Sequence, residues 1–209
     1  MMYIKSQMNF ISNLSSVTRY SQTTMAHTES VLEHSASVEM LSYFVGRRLV
    51  HAGVDVDFEV LTLKALFHDS DEVITGDIAR PVKYHSAELR SLLGEMEHEN
   101  VKKLSVELTG EDHFYQVWEG AKNNPEGFIV KLCDALSVVY KIRDEVLERG
   151  NLSMCHIATN KLLDYINQTS ADIYLAYDIE TLEIDNPLIP IVTECSTIIS
   201  KIKSMKNRN

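Results

Sequence analysis

The chain has 209 residues, 44% of them apolar and 24% charged, with a formal net charge of −10. That length supports one substantial core and leaves little room for two full enzyme domains, and eight Gly with four Pro are too few for a turn-rich β architecture. The negative charge argues against a broad footprint on a nucleic acid polymer, because such binding is driven by Lys and Arg neutralising phosphates. An anionic small substrate would instead need a local positive site, such as a metal with a few basic side chains.

The opening residues, MMYIKSQMNFISNLSSVTRY, alternate polar and apolar types with no continuous apolar run or small-residue cleavage site, so no signal peptide is expected. No later stretch approaches a membrane span. From Glu29 to about Val50, apolar residues recur at three- and four-residue steps and predict an amphipathic helix stopping near Gly53. A second helix is expected from about Phe58 to Asp69, where the apolar run is too long and too Leu-rich for a strand. DSDEVITGDIARPVKYHS then breaks the pattern, with Gly76 and Pro81 as punctuation, and predicts a short helical turn followed by a loop. Helix resumes at about Ser86. Another is expected between Pro125 and Gly150, a placement of proline and glycine that suits helix ends. Leu152–Tyr177 and Ile189–Lys203 are further helical segments, separated by the less regular DIETLEIDNPLIP, and KIKSMKNRN is expected as a frayed basic tail. The expected fold is all-α, one domain over residues 1–209. Cys133, Cys155 and Cys195 follow no CxxC spacing and are expected as reduced thiols of a cytoplasmic protein.

Polar residues on apolar helix faces carry the chemical signal. His68 and Asp69 adjoin at the end of one apolar helix, His34 sits within VLEHSAS, and Asp134 interrupts FIVKLCDALSVVY. A carboxylate in such a run must be paired, protonated or metal-bound, since burying a lone charge is very costly. If the four converge, two imidazoles and two carboxylates make a site suited to a borderline divalent ion. The lack of cysteine ligands disfavours a closed structural zinc site.

His34, the His68-Asp69 pair and Asp134, in this order on separate helices, resemble the H…HD…D signature of the HD superfamily. More narrowly, TESVLEHS, HDSDEVITGDIARPVKY and VKLCDAL resemble the YfbR-like HD-domain 5'-deoxynucleotidases from about Arg19 to Gly150, while residues 151–209 resemble them only in being helical. The resemblance implies an HD-domain helical bundle that removes phosphate from a small deoxynucleotide with one divalent ion. Cobalt, manganese, zinc, nickel and iron all suit these ligands. It implies Glu72 and Asp77 as the catalytic pair, with Asp77 also holding substrate near the metal. Arg19 would grip phosphate as a planar fork, and Lys83 would be a second phosphate contact. Tyr20 would pack on the sugar and disfavour a 2'-hydroxyl, in a place where the family usually carries tryptophan. A homodimer is also implied. His27, His51, His85, His98, His113 and His156 are read as structural or surface residues, with His85 the one nearest in sequence to the motif.

Four other readings share the signature. Hydrolysis at the α-phosphorus of a deoxynucleoside triphosphate, releasing triphosphate, needs little change at the metal and resembles small phage dATP triphosphohydrolases. A binuclear phosphodiesterase would need more histidines after the His-Asp pair, and alarmone hydrolases lack the long TGD…PVKY match. A silent nucleotide sensor would be free to lose the ligands and Glu72, which are all present here.

Overall fold

The computed structural model describes residues 2–120, 124–179 and 186–206. Among these are ten α-helices and no strand: α1 (Met2–Ser16), α2 (Val31–His51), α3 (Phe58–Phe67), α4 (Glu72–Thr75), α5 (Arg80–Lys83), α6 (Ala87–Thr109), α7 (His113–Gly120), α8 (Pro125–Arg143), α9 (Asn160–Ala176) and α10 (Ile189–Lys206). The fold is all-α, as the composition and periodicity imply.

Local chemistry fixes the helix ends. The Ser30 side chain accepts the N–H of Glu33, and the Glu33 carboxylate accepts the N–H of Ser30 at 2.7 Å, a reciprocal capping box that starts α2 two residues later than periodicity alone suggests. Asn124 caps α8 through the N–H of Gly127, with Pro125 at the first helical position. Asp57, Ser86 and Thr159 cap α3, α6 and α9 in the same way.

The main core joins Val38, Val45 and Leu49 of α2, Leu61 and Ala65 of α3, Ile129, Leu132 and Leu136 of α8, Ile166 and Ile173 of α9, and Ile199 and Ile202 of α10. Each fully buried Leu or Ile contributes roughly 1.5–3 kcal/mol relative to exposure. Gly46 lets α3 seat closely on α2, since a Cβ there would lie 2.9 Å from Leu61 Cδ2 and 3.1 Å from the Phe58 ring. That approach brings the helix carrying His34 against the helix ending at His68.

Several elements differ from the periodicity. The opening segment is helix α1, whose Phe10 and Leu14 join a second small cluster with Val31 and Leu108. Ile4, Met8 and Ile11 of the same helix are exposed, which blurs its apolar stripe. α7 lies in a short segment without a clear pattern. α8 stops at Arg143, and residues Asp144–Glu148 widen into a π-turn closed by Arg149 N–H to Asp144 C=O at 3.1 Å. The segment expected as one helix from Leu152 opens with a 3₁₀ turn, Leu152–His156, and α9 begins only at Asn160. The tail is helical through Lys206, and residues 207–209 lie outside the described ones, as do residues 180–185 of the irregular linker. Among the described residues no helix is long and apolar enough to cross a membrane.

Candidate metal centre

His34 projects from the second turn of α2 and is fully buried. His68 and Asp69 follow directly on the end of α3, and Asp134 lies midway along α8. These elements bring the four side chains together. His34 Nε2 is 3.2 Å from His68 Nε2, 3.2 Å from Asp134 Oδ1 and 3.4 Å from Asp69 Oδ2, and His68 Nε2 is 3.1 Å from Asp69 Oδ2. Ligand atoms of His34, His68 and Asp134 all lie within 4.8 Å of one another.

The far nitrogen of each ring faces its own acceptor. His68 Nδ1 lies 2.8 Å from the Ala65 carbonyl, and His34 Nδ1 lies 3.2 Å from Ser137 Oγ with Glu29 Oε1 behind it at 3.6 Å. The Ser137 hydroxyl donates to the Asp134 carbonyl at 2.7 Å, which leaves its oxygen free to accept from His34. Both Nδ1 atoms therefore carry the proton, and both Nε2 lone pairs converge on the two carboxylates. Nitrogen lone pairs and carboxylate oxygens this close repel unless positive charge sits among them, so the donor set fits a divalent cation. The protein's own electrostatics agree. Burial opposes protonation of His34, yet the acceptors Asp134, Asp69 and Glu29 more than offset it and lift its pKa to about 10. Asp69 and Asp134 are held below the ordinary carboxylate range against their burial, by His68 and His34 for the first and by His34 above all for the second.

Around this cluster the other sequence-derived residues divide into two groups. Arg19, Tyr20, Glu72 and Asp77 share its field. Arg19 is almost buried, lies over the Tyr20 ring at 5.1 Å and pairs with Glu29 Oε1 at 3.3 Å. Tyr20 adopts a left-handed backbone, φ 56°, and donates its N–H to Asp77 Oδ2 at 2.9 Å. Glu72 Oε2 is buried and finds no hydrogen-bond partner among the described residues. Burial first, then the negative charges of Asp69, Asp77 and Asp71, push its pKa up to about 9. Lys83 also feels the charges of Asp71 and Asp69 but is committed to Glu97 Oε1 on α6 at 2.6 Å, and His85 is exposed and does not join the cluster.

Four supporting residues carry no motif of their own. Glu29 bridges Arg19 and His34, and Ser137 lies one turn beyond Asp134. Trp118 of α7 donates Nε1–H to the His68 carbonyl at 3.2 Å. Glu145, buried just beyond the end of α8, accepts the N–H groups of Ala26 and His27 at 2.7 and 2.8 Å and so pins the loop that leads to Glu29. Glu29 lies just ahead of the capping box, where an acid is ordinary at a helix start. Beside the cluster a cavity of about 120 Å³ is lined by Lys64, His68, Trp118, Gly127, Val130, Lys131 and Asp134.

This geometry and fold define an HD-domain phosphohydrolase. One such protein, from Listeria innocua, superposes with a TM-score of 0.63 at 26% identity, covering 95% of this chain and 99% of its own. Residues 6–205 match the family described as 5'-deoxynucleotidase YfbR-like, and the chain belongs to that family. A 5'-deoxynucleotidase of Photorhabdus laumondii is 32% identical over 148 residues, covering 68% of this chain and 73% of that protein. The 5'-deoxynucleotidase YfbR of Shigella flexneri is 32% identical over 146 residues with the same coverage. A cyanophage S-2L HD phosphohydrolase, bound to dA and one catalytic Zn²⁺ ion, shares the fold with a TM-score of 0.56 at 17% identity, covering 92% of this chain and 96% of its own.

Proposed function

We propose that the protein removes the phosphate from 2'-deoxynucleoside 5'-monophosphates at a single divalent ion held by His34, His68, Asp69 and Asp134. The observation that carries this reading is the convergence of both Nε2 lone pairs on two carboxylates, in a chain that belongs to the YfbR-like family. When bound, the ion supplies Lewis-acid polarisation of a phosphoryl oxygen and acidifies water near neutral pH.

The chain's own residues do the rest. Arg19, fixed over Tyr20 and against Glu29, presents its guanidinium to the phosphoryl oxygens and offsets the charge that develops there. Glu72, buried beside Asp69 and Asp77, would give a proton to the departing 5'-oxygen and regain one from the attacking water. The water oxygen bonds to phosphorus as the bond from phosphorus to the 5'-oxygen breaks, leaving a deoxynucleoside and orthophosphate. Asp77 holds the backbone of Tyr20, whose ring flanks the sugar position. Lys83 serves as an outer phosphate contact only when it leaves Glu97.

The same reading treats residues 1–209 as one HD domain, supported by a core shared by α2, α3, α8, α9 and α10. It places the enzyme in the cytoplasm and treats it as a homodimer. Exposed Met40, Tyr43 and Phe44 on α2, with Leu175 at the end of α9, supply apolar surface for a second copy. Light scattering on the purified protein tests that state.

Product analysis tests the activity. Protein stripped of metal and reloaded with cobalt or manganese is incubated with deoxynucleoside mono- and triphosphates, with Glu72→Ala as control. Orthophosphate from monophosphates is the expected product. Triphosphate from triphosphates would make the chain a triphosphohydrolase, and no metal-dependent product from either would make it a binding protein.

A further inference from the structure

We propose that Glu29 is a positioning residue that couples the phosphate-gripping Arg19 to the metal-ligating His34. Its Oε1 lies 3.3 Å from Arg19 Nη1 and 3.6 Å from His34 Nδ1, and its Oε2 lies 3.9 Å from Lys141 Nζ. One carboxylate thus stands among three positively polarised groups, with 14% of its side chain exposed. Charges this sheltered are weakly screened and hold their geometry, unlike exposed ion pairs.

The backbone delivers Glu29 to this point. Arg19 N–H donates to the Glu29 carbonyl at 2.9 Å, Val31 N–H donates to the Val17 carbonyl at 2.9 Å, and Thr18 and Ser30 form an antiparallel bridge between them. The chain therefore closes on itself between Arg19 and Glu29. Lys141 Nζ donates to the His27 carbonyl at 2.6 Å and lies 3.6 Å from Glu145 Oε1, so α8 and its π-turn clamp the loop from the other side. These bonds tie Arg19 to the start of α2.

The consequence lies in the ligand beyond. A second carboxylate behind the Nδ1–H of a ligating histidine fixes its tautomer and ring orientation and raises the basicity of Nε2. Ser137 Oγ shares that proton, but it is a neutral acceptor whose own hydrogen is spent on Asp134. Glu29 is the anionic member of the pair, and its oxygen on His34 is the same one that holds Arg19.

Two variants test this, Glu29→Gln, which keeps shape and loses charge, and Glu29→Asp, which keeps charge. Manganese or cobalt affinity is measured on metal-stripped protein by competition with a chelating dye, with circular dichroism as a fold check. Glu29→Gln weakens metal affinity by about 10–100-fold, and Glu29→Asp recovers part of that loss. In turnover, which rests on the nucleotidase reading, Glu29→Gln combined with Arg19→Ala loses less kcat/KM than the product of the two single losses. Metal affinity unchanged in folded Glu29→Gln, or losses that multiply fully in the double variant, would overturn the coupling. The metal arm needs no substrate, so a protein inactive on every deoxynucleotide would sink the nucleotidase reading while the affinities still judge Glu29.

Discussion

The backbone N–H of Tyr20 is held by the Asp77 carboxylate at 2.9 Å, which ties the turn bearing Arg19 to the TGD loop. Tyr20 sits at φ 56°, a conformation that costs a residue with a Cβ of order 1–3 kcal/mol and persists only where neighbours enforce it. Asp77→Ala removes the enforcing acceptor, and misplacing Arg19 by even about 1 Å costs on the order of 100-fold in kcat/KM. Asp77→Asn keeps a carbonyl oxygen and recovers much of the rate. Steady-state kinetics decide the point. An Asn variant as slow as the Ala variant would mean that charge matters at Asp77 and anchoring does not.

Glu72 trades stability for chemistry. The folded protein holds its proton up to about pH 9, whereas an ordinary glutamate releases it near 4.5. Unfolding therefore releases a proton in that window, and this group's contribution to stability falls as pH rises from 4.5 to about 9. In metal-stripped protein, Glu72→Gln raises Tm, little near the lower end of the window and most near its upper end, while turnover of the reloaded protein is lost. Equal Tm values for the two proteins across the window would show that the carboxyl is not destabilised.

Much of this site was legible before the fold was seen, because burial of charge is costly enough to mark its own positions. Asp134 within the apolar face of α8 and His68-Asp69 at the end of α3 announce themselves against their neighbours. The supporting residues do not. Glu29 looks like an ordinary acid at a helix start, Ser137 like an ordinary small residue, and Trp118 sits in a helix too short to show a period. Glu145 is fully buried three residues after Ile142, but an acid near a helix end reads as a solvated one in sequence, and the loop N–H groups that neutralise it lie far away in the chain. Periodicity does not mark α1, since it buries Phe10 and Leu14 while exposing three other apolar residues.

Glu145 is the main anchor of the loop that carries Glu29. Burial opposes its ionisation, but hydrogen bonds from Asn151 and from the N–H groups of Ala26 and His27, with Lys141 nearby, bring its pKa down to about 2. A depressed carboxylate contributes stability that is complete above its unfolded value of 4.5 and is lost as pH falls toward about 2. Glu145→Gln should therefore cost about 1.5–3 kcal/mol near neutral pH, the worth of hydrogen bonds to a charged group. Urea denaturation measures it, and the gap between the two proteins narrows as pH falls below 4.5. A gap that stays constant with pH would assign the loss to packing.

The most direct test is a titration of metal-stripped protein with manganese or cobalt while it turns over a deoxynucleoside monophosphate. Activity should rise linearly and break at one ion per chain, and Asp134→Asn should stay flat over the same range. Turnover that survives stripping, a break at two ions, or an Asp134→Asn variant as fast as the native protein would contradict a single ion held by His34, His68, Asp69 and Asp134.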